Sequence, residues 1–218
     1  RAVAATRVRA LGLRKTPGRN IDGVEVESDG ELFTIATAAV INAGGVFADD
    51  VRALDEATHP RSITPAKGIH LVIPRSRIHC ESAIVFDARD GRSLCLIPWD
   101  EVALIGTTDS FTDEIDEPVA GIEEVHYMLS AANDAFPRLA LTTNDIRCAF
   151  AGVRPLVADG DEESPSNSVS REHKIYDDPS GLISVTGGKL TTYRTMAEAV
   201  VKRALQRLPR ERRSEAGP

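Results

Sequence analysis

The sequence contains few cysteines, and they follow no metal-binding or disulfide pattern. Cys80, Cys95 and Cys148 lie far apart, no CxxC pair occurs, and the count is odd. Zinc sites and disulfide frameworks both depend on regular cysteine spacings. The sequence therefore predicts no metal site and favours a reducing compartment.

Long hydrophobic runs are also missing. The longest stretch without a charged residue, 32–48, is interrupted by threonines, an asparagine and two glycines. A membrane-spanning helix needs roughly 20 mostly apolar residues, so this stretch is better explained as a strand followed by a turn. No secretory signal is recognisable, and we expect a cytoplasmic protein.

An excess of basic residues, the usual mark of nucleic-acid binders, is absent. The 26 Lys and Arg residues face 33 Asp and Glu residues, which gives a net charge of −7 and a pI near 5.3. A nucleic-acid-binding face must neutralise several phosphates. The composition thus predicts no nucleic-acid partner, although a local basic patch could still bind one small anion.

Complete nucleotide-binding motifs are lacking as well. The dinucleotide fingerprint GxGxxG does not occur, because no two glycines are separated by a single residue. A Walker A match also fails, since five residues separate Gly181 from Gly187 and Leu190 follows Lys189 where Ser or Thr is needed.

What the sequence does contain is an alternation of strand and helix signals, and 42% hydrophobic residues are enough for a core. Residues 1–31 suggest a β-meander, 33–42 one continuous strand, and 49–61 a short helix with an exit loop. Several strands are predicted between 69 and 108, and helical spacing indicates helices at 122–136 and 193–208. We therefore predict an α/β (α+β) fold.

The stretch "LISVTGGKLTTYRTMAEAVVKRAL", residues 182–205, predicts a buried strand, a glycine turn and a long helix. Gly187 and Gly188 allow the backbone to approach a ligand closely. Lys189 adds a positive charge, and a helix N-terminus after glycines is suited to an anion. Thr191 and Thr192 can cap the helix or donate hydroxyl groups; the alternative is an ordinary threonine-capped turn.

Two arginines precede this turn and could join Lys189. Arg154 lies in "AGVRPL" and Arg171 in "VSREHKIY". Two forked guanidinium groups and one ammonium group would suit a phosphate monoester. For each arginine taken singly, an ordinary ion pair is the alternative.

Six segments resemble one known family. "VINAGGVFADDV", "PAKGIHLVIP", "LIPWDEVALIGTTD", "FAGVRPLV", "SREHKIYDD" and "VTGGKLTTYRTMAE" occur in this order. Together they resemble the FAD-dependent glycerol-3-phosphate dehydrogenases, respiratory enzymes of the D-amino-acid-oxidase-like flavoprotein superfamily. The resemblance covers nearly the whole chain and is weakest in residues 1–20 and after Leu208.

The resemblance implies specific binding residues. The residues implied to bind FAD are Ala43 and Gly44 on its adenosine side and, near the flavin ring, Gly188, Lys189, Leu190, Thr191 and Thr192. Arg154, Arg171 and Lys189 would bind the substrate. The catalytic base is not identified: His70 in "KGIH" is a candidate by residue type, and a packed strand histidine is the alternative.

The implied reaction is oxidation of sn-glycerol 3-phosphate to dihydroxyacetone phosphate by hydride transfer to FAD, with electrons passed on to a quinone. Peripheral contact with the inner face of the cell membrane goes with this reaction. Three alternatives stay open: an oxygen-using glycerophosphate oxidase, a related amine oxidase, or an inactive fragment that binds phosphate ligands or a partner chain.

The resemblance also implies a division of the chain. We expect residues 1–58 and 183–218 to belong to a discontinuous FAD-binding domain, and 59–182 to form a mixed-sheet substrate-binding domain with flanking helices. Family members begin with a strand–GxGxxG–helix unit and usually carry a helical C-terminal region. Neither is seen in this sequence, so we expect an internal fragment.

Overall fold

A computed structural model describes residues 2–158 and 172–208. The strands form three separate sheets, and α-helices lie between some of the strands along the chain. The strands are β1 (Val8–Lys15), β2 (Ile21–Ser28), β3 (Glu31–Ala36), β4 (Val40–Asn42), β5 (Ile63–Pro74), β6 (Ile84–Asp87), β7 (Ser93–Trp99), β8 (Val102–Gly106), β9 (Ser110–Phe111), β10 (Cys148–Val157), β11 (His173–Asp177) and β12 (Leu182–Gly187). The α-helices are α1 (Ala48–Asp55), α2 (Ile122–Ala135) and α3 (Tyr193–Arg207). The predicted α/β fold class is confirmed.

The chain divides into two units. The first contains the described residues of 2–64, 155–158 and 172–208, and the second contains Pro65–Arg154. The sequence-based boundaries lay at 58/59 and 182/183. The observed second division comes earlier, because β11 pairs with β12 in the first unit. Which unit binds the cofactor and which the substrate stays a prediction.

The first unit holds two small sheets. β1, β2 and β3 form an antiparallel meander, as predicted. In the other sheet β12 lies between β11 and β4, antiparallel to β11 and parallel to β4. Leu182 and Ile183 are fully buried in this central strand, and α1 and α3 both contact it.

One predicted strand of the first unit is wrong. Residues 33–42 form two strands in different sheets rather than one. The Thr37 hydroxyl donates to the carbonyl oxygen of Ala39 and also accepts from the Ala39 N–H. This local turn ends β3, because a threonine side chain that bonds the backbone two residues later competes with the strand ladder. The short helix and exit loop predicted for 49–61 correspond to α1, which ends at Asp55, and to the loop that follows it.

The second unit is built on one sheet with the strand order β10-β5-β8-β7-β6, and β9 also pairs with β5. One face of the sheet packs on α2 to form the main core, which includes Ile69, Leu71, Ile105 and Met128, all fully buried. Residues 69, 71 and 73 of β5 are buried at a period of two, so Gly68 and His70 lie on the opposite face.

The strands β5 and β10 run in opposite directions. The Arg147 N–H donates to the Val72 carbonyl oxygen, whereas Arg154 lies over Gly68, four residues earlier in β5. The segment Pro65–Arg154 therefore begins and ends on neighbouring strands.

Among the described residues no helix is both long and apolar enough to cross a membrane.

Candidate functional site

In the first unit, two glycine-containing turns lie at the same edge of the sheet. The residues Ala43, Gly44 and Gly45 follow β4, and 187–189 end or follow β12. Because β4 and β12 are parallel, both turns leave the sheet at its carboxyl edge. This is the edge at which open α/β sheets bind ligands. The structure thus brings together the two groups of residues predicted to bind FAD.

The turn after β12 requires glycine at two positions. Gly187 and Gly188 have φ angles of 73° and 75°, a left-handed conformation that is costly for residues with a side chain. A Cβ on Gly187 would lie 2.5 Å from the Glu172 carbonyl oxygen. A Cβ on Gly188 would lie 2.4 Å from the Met196 sulfur. A side chain at Gly187 would therefore meet fixed backbone, whereas at Gly188 it would meet the flexible end of Met196, and at both positions it would strain the left-handed backbone.

The threonine cap that the sequence suggested for α3 is not formed by Thr192, whose side chain makes no capping hydrogen bond to that helix. Thr192 Oγ1 accepts from the Lys189 N–H at 3.2 Å and donates to the Lys189 carbonyl oxygen at 3.0 Å. The short 3-10 helix Leu190–Thr192 leads directly into α3. Lys189 and Leu190 are both exposed, Leu190 to 88%, so this turn presents its side chains to solvent.

In the second unit, Arg154 on β10 is held by a set of oxygen atoms. Its Nη2 donates to Thr107 Oγ1 at 2.9 Å. Both terminal nitrogens lie 3.4 Å from the Thr108 carbonyl oxygen, and Nη1 lies 3.4 Å from Asp109 Oδ1. Its side chain is 27% exposed. We call Gly68, Thr107, Thr108 and Asp109, which surround this guanidinium, the arginine socket.

His70 lies on the same face of the sheet as the arginine socket. Its ring stacks on Phe150 with centroids 5.0 Å apart and planes 9° apart. It also covers Gly106, where a Cβ would lie 2.1 Å from the ring. Burial, and then the positive charge of Arg154, lower the pKa of His70 below the ordinary histidine value of 6.5. The imidazole is therefore neutral at pH 7, the state in which it can accept a proton.

Hydrogen bonds on the core side of the sheet hold Thr108, which follows β8 and belongs to the arginine socket. Thr108 Oγ1 accepts from the Ile69 N–H and donates to Glu124 Oε1 at 3.1 Å. Glu124 also pairs with Lys67 at 2.9 Å. Burial alone would raise the pKa of Glu124, but its hydrogen bonds from Lys67, the Gly121 N–H and Thr108 hold that pKa below the usual range. A charged carboxylate at neutral pH thus fixes the backbone at Thr108.

Two of the three cations predicted to bind substrate belong to different units, and the third is not described. Arg154 belongs to the second unit and Lys189 to the first, and Arg171 lies outside the described residues. Their convergence on one phosphate therefore remains a prediction.

Sequence reasoning missed Gly68, Thr107 and Asp109 as partners of Arg154. A glycine inside a predicted strand, here the one in "KGIH", is a usable signal, because it often marks a close approach by another group.

A buried charge cluster in the first unit needs a separate explanation. Asp55, His59 and Asp178 offer ligand atoms within 4.8 Å of one another. However, Lys15 Nζ lies 2.7 Å from Asp55 and Arg52 Nη2 lies 3.3 Å from Asp178. These cations already neutralise the carboxylates, so we interpret the cluster as an ion-pair network that joins β1, α1 and the β11–β12 turn.

Comparison with known proteins shows the family of this chain. The family model described as FAD dependent oxidoreductase matches residues 1–203. The chain therefore belongs to the FAD dependent oxidoreductase family, and the predictions of an oxidoreductase class and of FAD as the cofactor are confirmed.

The similar relatives are more specific. The chain is 36% identical over 197 residues to the aerobic glycerol-3-phosphate dehydrogenase of Staphylococcus aureus (strain USA300), which covers 88% of this chain and 35% of that protein. The predicted resemblance is confirmed. The chain spans about a third of the length of the curated relatives it matches.

Solved structures show the same relationship. The glycerol-3-phosphate dehydrogenase from Bacillus halodurans, complexed with FAD, superposes with a TM-score of 0.80 at 35% identity, covering 91% of this chain and 38% of that one. Glycine oxidase from Geobacillus kaustophilus gives a TM-score of 0.59 at 18% identity, covering 93% and 49%. The second likeness shows the fold alone.

The residues of the first unit fit FAD. Gly45 has a φ of 59°, and no atom lies within 4 Å of the position its Cβ would take. The two bare turns at the carboxyl edge leave backbone exposed where a dinucleotide could approach. That Ala43, Gly44 and residues 188–192 contact FAD stays a prediction.

Proposed function

We propose that the whole protein oxidises sn-glycerol 3-phosphate to dihydroxyacetone phosphate and passes the electrons to a quinone. The observation that carries this proposal is the similarity to two bacterial glycerol-3-phosphate dehydrogenases over about nine tenths of the chain. When bound, FAD supplies the hydride acceptor.

Arg154 is proposed to bind the substrate phosphate, together with Arg171 and Lys189. A guanidinium group offers parallel N–H donors that match phosphate oxygens, and an ammonium group adds a point charge. The fixed position of Arg154 in the arginine socket supports this role, because an arginine held in one orientation loses less entropy on binding.

His70 is proposed to accept the proton of the substrate hydroxyl. Its ring lies on the same sheet face as Arg154 and is neutral at pH 7, so it can take up a proton at neutral pH. Stacking on Phe150 holds the plane of the ring.

We further propose a cytoplasmic protein with peripheral contact at the inner face of the cell membrane. A quinone acceptor resides in the bilayer, so electron delivery requires contact with the membrane surface. Sedimentation of the protein with vesicles made from bacterial lipids, and its release by salt, would test this contact.

The decisive experiment is an assay of the purified whole protein with FAD. We expect sn-glycerol 3-phosphate to bleach the flavin absorbance under anaerobic conditions, and a soluble quinone analogue to restore it faster than oxygen does. Faster recovery with oxygen would indicate an oxidase. Bleaching by glycine or a D-amino acid but not by glycerol phosphate would refute the proposed substrate.

A further inference from the structure

We propose that Gly68 is a positioning residue for the substrate phosphate: its missing side chain provides the space that orients the guanidinium of Arg154 toward Thr107 and Asp109. This inference rests on the proposed function, in which Arg154 binds that phosphate.

The first support is the space itself. A Cβ on Gly68 would lie 2.4 Å from Arg154 Nη2, 2.6 Å from Arg154 Nη1 and 2.5 Å from Thr107 Oγ1. Non-bonded carbon contacts are favourable only near 3.5–4.0 Å. The guanidinium and the Thr107 hydroxyl therefore occupy the volume that even an alanine would need.

The second support is the set of bonds that would be lost if the guanidinium of Arg154 were displaced. The same two nitrogens make the hydrogen bond to Thr107 and the ion pair with Asp109. The Asp109 side chain is only 9% exposed, so its negative charge fixes one edge of the guanidinium with little screening by solvent. A methyl group at residue 68 would push the fork away from these partners and change its direction.

The third support is that a Cβ at position 68 would displace polar side chains and leave the hydrophobic core intact. Gly68 lies on the sheet face opposite Ile69 and Leu71, which belong to the main core. Its φ is not in the left-handed region. The three nearest atoms that its Cβ would meet belong to side chains, two to the flexible end of Arg154 and one to the Thr107 hydroxyl, and none to the backbone. The Gly68→Ala protein should therefore fold and yet carry a misdirected Arg154.

The test compares variants of the whole protein with FAD bound. For Gly68→Ala we expect the KM for sn-glycerol 3-phosphate, and the inhibition constant of inorganic phosphate, to rise roughly tenfold to hundredfold, the range for losing hydrogen bonds to a charged group. The kcat should change far less, because the carbon that is oxidised, C2, is separated from the phosphorus atom by C3 and the ester oxygen. Thr107→Val, which removes the hydrogen bond without adding an atom, should change the same constants by a smaller factor.

A double variant separates positioning from a general structural effect. In an Arg154→Lys background, Gly68→Ala should raise KM little further. Lysine has no guanidinium group that would meet a Cβ at position 68. Gly18→Ala is the matched control. A Cβ there would make only ordinary contacts, the nearest at 3.6 Å, and KM should be unchanged.

Several outcomes would overturn the inference. Unchanged KM and phosphate inhibition in Gly68→Ala would do so, as would fully additive losses in the double variant. If the wild-type protein does not oxidise glycerol phosphate, the proposed function fails, and the increase in Tm caused by inorganic phosphate becomes the readout. A Tm increase that persists in Gly68→Ala, or one that is absent from the wild-type protein, would then refute the inference.

Discussion

At the scale of single residues, the charge of Arg154 links phosphate binding to the protonation of His70. The cation that is proposed to bind phosphate also disfavours a second positive charge on the imidazole. A bound phosphate would offset part of that charge. The proton affinity of His70 should then rise when a phosphate ligand occupies Arg154.

This coupling can be measured by an NMR titration of the five histidine rings. We expect His70, assigned with His70→Gln, to titrate below pH 6.5 and to shift upward in Arg154→Gln, because one of the two causes of the lowered pKa is gone. Arg89→Gln removes an arginine that is mostly exposed and pairs with Asp134, and it should leave His70 unchanged. An unmoved His70 in Arg154→Gln would contradict the assignment.

The same lowered pKa affects folding. The imidazole of His70 binds a proton more tightly in the unfolded chain than in the folded protein. Above pH 6.5 the imidazole is neutral in both states, so the contribution of His70 to the free energy of unfolding is fully present there. That contribution decreases as the pH falls below this value, where the unfolded state takes up the proton first.

At the scale of elements, the strand–turn–helix segment at the end of the chain depends on backbone geometry. β12 ends in a left-handed glycine, and α3 begins only after a second one. The positive φ angles redirect the chain from the sheet into the helix within a few residues. Alanine at these positions should therefore disturb the turn rather than the helix.

Gly187→Ala and Gly30→Ala form a matched pair for this point. Both glycines have positive φ, 73° and 83°, but a Cβ on Gly30 would meet no atom within 4 Å. Gly30→Ala should cost about 1–2 kcal/mol of unfolding free energy from backbone strain alone. Gly187→Ala should cost about 1–3 kcal/mol more, because its Cβ meets the Glu172 carbonyl oxygen. Denaturant unfolding measures both, and equal losses would argue against the steric part.

Sequence patterns predicted local elements better than long-range contacts. The helical spacing from Tyr193 to Leu208 located α3. The run 33–42 does not form the single predicted strand, because apolar content does not reveal that the Thr37 side chain bonds the backbone of Ala39. Gly68 and Arg154, 86 positions apart, meet only through the pairing of β5 with β10, which no local pattern specifies.

At the scale of the whole molecule, the two units differ in how the chain builds them. The second unit is one continuous segment, and every residue of the main core cluster lies between Ile69 and Leu141. The first unit is assembled from separate segments, because β4 pairs with β12 about 140 positions later. We therefore expect the second unit to be the more independent in folding.

Excising residues 63–157 tests this expectation. The fragment retains all of β5 and β10 and the core between them, so it should unfold cooperatively and give a dispersed amide NMR spectrum. The control is the fragment 2–64, in which β4 lacks its partner β12 and no cooperative transition is expected. A fragment 63–157 without cooperative unfolding would show that its core needs the rest of the chain.

The opposite directions of β5 and β10 have a consequence for ancestry. A segment that departs and returns through adjacent strands can be lengthened, trimmed or exchanged by recombination while the flanking chain stays in place. Across descendants of a common flavoprotein ancestor, insertions and deletions should therefore accumulate between positions 65 and 154, while the spacing around the two glycine turns is inherited with little change.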